Sequence, residues 1–116
     1  LNLTEVNGQC TITTNRGHYV KVGNMVTGWA SATIGSNSNS NPLNINLPFS
    51  STINGYYLGG GNVAYHNFPT AQRDDLRPII ENAAGNIFFV YGSGTAVTCA
   101  QASGCRIDYF FSYKVA

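Results

Sequence analysis

The sequence predicts an all-β fold, an antiparallel β-sandwich or jelly roll. Three observations lead there. Seven to nine short β-prone stretches are separated by Gly/Asn/Ser turns. No stretch has the length and apolar spacing of an amphipathic helix. Two alternating stretches meet across Gly23-Asn24, a two-residue hairpin composition. At 116 residues the chain has room for a single domain, spanning 1–116. A chain of this size buries roughly two-thirds of the surface it exposes when unfolded.

Taken in order, Thr11-Ile12-Thr13-Thr14 is β-prone and is expected to stop at Asn15-Arg16-Gly17. His18 to Val22 alternates, with Val20 and Val22 on one face, and the Gly23-Asn24 turn leads into a strand over Met25–Ile34. The Ser/Asn run from Gly35 to Pro42 reads as an exposed loop. Leu43, Ile45 and Leu47 then share one side of a strand whose other side carries Asn44 and Asn46. Tyr56 to Leu58 and Asn62 to Tyr65 are short strands around a tight turn at Gly59-Gly60-Gly61. The charged stretch Gln72 to Arg77 admits a helical turn, which Pro78 and its short length oppose. Ile87–Tyr91 and the aromatic-rich Cys105–Val115 are strands.

Only 9% of residues are charged, against about 25% in ordinary domains, and the net charge is +1. Polarity comes from Asn, Ser, Thr and Gly. Such a surface suits neutral hydrogen-bonding partners such as sugars, or further copies of the chain. It suits nucleic acid poorly, because no Lys/Arg cluster is present to displace counterions from phosphates. No apolar run approaches the ~20 residues of a membrane span, so membrane insertion is not expected. The first residues lack the basic and apolar regions of a signal peptide and an initiator Met, so the chain reads as a fragment of something longer. Cys10, Cys99 and Cys105 make an odd count, which argues against a closed disulfide framework. The expectation is three reduced, partly buried thiols, and the turn-like spacing of Cys99 and Cys105 admits a local bridge.

The chain carries little of the chemistry of an enzyme. Glycoside hydrolysis needs two carboxyls flanking the bond. The five available are Glu5, Asp74, Asp75, Glu81 and Asp108, and the adjacent Asp74 and Asp75 read as solvated loop charges. His18 and His66 accompany no nucleophile motif and no metal-ligand spacing. The triple glycine lacks the Lys-Ser/Thr of a phosphate loop, so no cofactor and no metal are expected. Binding has more support. Trp29, Tyr109 and Tyr113 offer flat faces with polar tips, although Trp29 and Phe111 lie inside long strands and are expected in the core or a subunit interface. Tyr56, Tyr57, Tyr65 and His66 adjoin glycine turns and are the candidate ligand-binding residues.

One stretch is more specific. Thr13 to Thr27, with Gly17, Tyr19, Lys21, Gly23-Asn24, Val26 and Thr27 in order, resembles the G-x-Y-x-K-I/V-G-N-x-V-T hairpin of phage tail fibre and tail spike C-terminal domains. Ile45-Asn46-Leu47-Pro48-Phe49 is similar to the strand end of those domains, with Asn46 where a Gly stands in the pattern. Phe111-Ser112-Tyr113-Lys114-Val115 resembles their terminal strand. The resemblance implies a C-terminal sandwich or jelly-roll tip of a longer fibre protein, forming a homotrimer that contacts the host surface. Its partners would be sister chains and a bacterial surface polysaccharide or outer-membrane protein. It implies a virion component assembled in the bacterial cytoplasm, and carries over no catalytic residue. The alternatives are a trimerisation or capping module without a ligand, and a small glycan-processing enzyme.

Overall fold

A computed structural model describes residues 3, 10–49, 59–69, 75–80 and 85–115. These form eight strands and no helix: β1 (Ile12–Val22), β2 (Met25–Ile34), β3 (Asn44–Asn46), β4 (Gly59–His66), β5 (Arg77–Ile80), β6 (Asn86–Tyr91), β7 (Thr95–Ala96) and β8 (Arg106–Lys114). All belong to one antiparallel sheet in the order β1-β2-β8-β4-β5-β6-β3, with β7 on β6. The sheet curls into a half-barrel around its apolar face.

The central strand shows why this sequence makes this sheet. In β8, Ile107, Tyr109, Phe111 and Tyr113 are buried, and the residues between them are half-buried or exposed. That two-residue period places one aromatic row in the core. β2 matches it with Val26, Ala30, Ala32 and Ile34. Leu43, Ile45 and Leu47 are buried as their alternation requires. The hairpin turn also forms as read. Gly23 takes φ 60° and Val22 pairs with Met25, the II′ pattern that places glycine at the first turn position.

Three expectations are corrected. First, the strand does not stop at Asn15-Arg16-Gly17 but runs through, pairing Asn15, Arg16 and Gly17 with Ala32, Ser31 and Ala30. Second, Gly59-Gly60-Gly61 is not a turn but the start of β4, paired with Tyr113, Ser112 and Phe111. A Cβ on Gly59 or Gly61 would collide with the β8 carbonyls of Ser112 or Phe110, so these glycines serve close approach of two backbones.

Third, the thiols are not all reduced. Cys10 and Cys99 form a disulfide with Cα atoms 6.1 Å apart, and Cys105 is the free cysteine. The intervening segment explains the pairing. Residues 35–43 lie extended between the chain at Thr11, whose carbonyl accepts from Gly35 N, and the stretch 97–100. Asn39 and Asn41 accept backbone bonds from Ala100 and Cys99 at 2.8 and 2.9 Å. The Ser-Asn repeat is ordered by side chains two residues back: Asn37 Oδ1 accepts from Asn39 N, and Asn39 Oδ1 from Asn41 N.

The three motif stretches meet around one residue, Phe49. The Tyr113 hydroxyl accepts from Phe49 N at 3.0 Å and donates to Phe49 O at 2.9 Å. The Tyr19 ring stands edge-on to Phe49 with centroids 5.4 Å apart, and Lys21 Nζ lies 5.2 Å from its centroid. Asn24 O accepts from Val115 N, and the hydroxyls of Thr27 and Ser112 are 3.2 Å apart.

Candidate functional site: a groove on the outer face

Residues in register across an antiparallel sheet point to the same side. On the outer face of β1, β2, β8 and β4 this produces two rows. Arg16, Ser31, Asp108 and Tyr65 form one, and His18, Trp29, Phe110 and Asn62 the other. Arg16, Ser31 and Asp108 of the first row and Trp29 and Phe110 of the second line a groove of about 500 Å³, together with Thr14, Thr33 and Arg106.

Arg106 and Asp108, two apart on β8, share this face. Arg106 Nε donates to Asp108 Oδ1 at 3.0 Å, and Nη2 donates to Oδ2 at 2.6 Å. Ser31 Oγ donates to the same Oδ1. These bonds hold the Asp108 carboxyl below its ordinary range, the bond from Arg106 first, and raise Arg106 correspondingly. Both carboxylate oxygens are engaged, so Asp108 serves here as an anchor for neighbouring groups. The Arg106 guanidinium also lies over the Tyr65 ring, 5.1 Å from its centroid.

Trp29, expected in the core or a subunit interface, is not in the core. It is half-buried on the outer face, and its indole Nε1–H donates to His18 Nε2 at 3.0 Å with the rings edge-on at 80°. Accepting that bond requires an unprotonated Nε2 on His18. Beside it Phe110 is 50% exposed although it lies mid-strand. Arg16 is exposed, and among the described residues no hydrogen bond or ion pair engages its side chain.

Of the four residues singled out from the sequence, Tyr56 and Tyr57 lie outside the described residues. Tyr65 is 48% exposed and packs under Arg106, which lines the groove, but does not line it itself. His66 follows Tyr65 on the strand and faces the other way. Its Nδ1 accepts from Phe68 N at 3.3 Å, and its ring packs 5.4 Å from that of Phe68. Tyr65 and His66 therefore do not form one site. The groove residues Arg16, Trp29, Ser31, Arg106, Asp108 and Phe110 come from the β1–β2 hairpin and from β8, which is far from it in sequence. The mid-strand exposure of Phe110, in a run where Tyr109 and Phe111 alternate inward, is the one signal of them the sequence holds. Compared with protein-family models, with curated proteins and with solved structures, the chain matches none.

Proposed function

We propose that this chain is the receptor-binding tip of a phage tail fibre or tail spike, a homotrimeric module that attaches the virion to a bacterial surface polysaccharide or outer-membrane protein. The observation that carries the reading is the meeting of the three motif stretches at Phe49. Motifs in contact across 64 residues (Phe49–Tyr113) and 85 residues (Thr27–Ser112) make one contact cluster, which is what a shared fold signature requires. The outer-face groove supplies a surface suited to binding: two aromatic side chains beside a fixed Arg106–Asp108–Ser31 network. Closure of the curled sheet into the sandwich or jelly roll of such tips belongs to this reading. So does the cellular setting: the virion acts outside the cell, where the Cys10–Cys99 bond persists.

A second reading is a trimerisation or capping module with no ligand of its own. It is favoured by the free end of the β1–β2 hairpin, where Val20, Val22 and Met25 are 60%, 73% and 43% exposed. Apolar side chains grouped on an edge hairpin suit burial against sister chains.

Light scattering on the isolated domain, followed by adsorption to bacterial cells, separates the readings. Three chains and saturable adsorption support the tip. Three chains without adsorption favour the capping module. A monomer that does not adsorb overturns both.

A further inference from the structure

We propose that the outer-face groove binds an acidic saccharide, with Arg16 receiving the sugar carboxylate. This deepens the attachment reading above and rests on it. The argument begins with the scarcity of charge: six Lys and Arg in 116 residues. Two of the four arginines, Arg16 and Arg106, line this groove, with Asp108 as their carboxylate counterpart. Asp108 is taken by Arg106 through two bonds and by Ser31 through a third. Arg16 stands across Ser31 from Asp108, two strand spacings away or about 9–10 Å. Among the described residues nothing compensates its positive charge within the groove.

The other wall defines what accompanies the anion. Phe110 and Trp29 present apolar surface in the adjacent register row, and the Trp29 N–H is already committed to His18. An aromatic wall with no free polar edge suits the C–H face of a pyranose ring. The hydroxyls of Thr14 and Thr33 supply hydrogen bonds on the side of the groove away from that wall. An anion, a ring face and hydroxyls side by side are the features of a uronic-acid residue. The single dissociated carboxylate fits one planar guanidinium, which binds it through two parallel bonds.

Trp29 is the chain's one tryptophan, so its fluorescence reports on the groove without a label. The test titrates the domain with oligogalacturonate and, separately, with the same oligosaccharide after carboxyl reduction. The expected result is a saturable change in Trp29 emission with the acidic form, weakened at least tenfold in the reduced form and in Arg16→Gln, and weakened by added salt. The Arg16 side chain is exposed and, among the described residues, unbonded, so Arg16→Gln leaves the fold intact, which circular dichroism verifies. Equal binding of acidic and reduced sugars overturns the role of the carboxylate and leaves attachment standing. No response to either sugar, in a domain that still adsorbs to cells, overturns the groove as the saccharide site. No response together with no adsorption removes the attachment reading itself.

Discussion

Breaking the Cys10–Cys99 bond is expected to remove a large part of the stability. The two cysteines are 89 residues apart, so the bond closes most of the described chain into one loop. On the chain-entropy account a loop of this length restricts the denatured state by about 4.6 kcal/mol at 25 °C, and measured disulfides typically deliver 2–4. A domain of this size has a total of about 5–15 kcal/mol. With a urea dependence of ~1–3 kcal/mol/M, the unfolding midpoint should fall by about 2 M on adding reductant or in Cys10→Ser. Cys105→Ser should leave it nearly unchanged, since the Cys105 thiol makes one long bond, to Ser103 O at 3.4 Å. The assay is urea unfolding followed by circular dichroism, with iodoacetamide alkylation read by mass. Alkylation of the denatured but unreduced protein should label one cysteine, and after reduction three. Three labelled cysteines without reductant, or coincident midpoints with and without it, would refute the pairing.

Tyr113→Phe strips both hydrogen bonds from the Phe49 backbone and should cost about 1–3 kcal/mol in urea unfolding, with the sheet retained. Gly61→Val drives a side chain into the Phe110 carbonyl, so the expected outcome is a loss of about 3 kcal/mol or more, or insoluble protein, whereas Gly92→Ala meets no atom and should cost only about 1–2 kcal/mol, from its left-handed backbone at φ 57°. Asp108 titrates lower folded than unfolded, because Arg106 and then Ser31 bond its charged form. Its contribution to stability is therefore complete above the unfolded value near ~4 and is lost as pH falls through the lower folded value. Melting temperatures between pH 2 and pH 6 should show a shallower acid decline for Asp108→Asn than for the parent.

The strands that alternate strictly were legible in the sequence. Ile107 to Tyr113 and Leu43 to Leu47 each carry their apolar side chains on one face, and burial follows that pattern. Gly23-Asn24 was legible because a two-residue loop needs a residue tolerant of positive φ. Gly17 and Gly59 to Gly61 misled, since glycine marks a turn and a close backbone approach with the same letter. Only the partner, Trp29 O for Gly17 and β8 for Gly59 and Gly61, tells them apart. The disulfide was hidden for a related reason: Cys105 is near Cys99 in sequence, but the extended 35–43 segment brings Cys10 there instead. The groove draws on β1, β2 and β8, so its neighbours exist only once register is set. Trp29 was expected in the core or a subunit interface because it lies inside a long strand, while the pleat directs it outward beside His18.

The position of β8 has a consequence for biosynthesis. This strand lies between β2 and β4, yet it is made after every other strand of the sheet. Until it emerges from the ribosome, β2 and β4 have no neighbour to share, and the apolar residues of β2 face an unfilled gap. The β1–β2 hairpin can pair locally as it emerges, but joining it to β4 and the rest of the sheet waits for β8 and then pairs strands across long sequence distances, which is the slow and aggregation-exposed route. A chain stopped before Arg106 would lose the keystone of the sheet rather than a fringe.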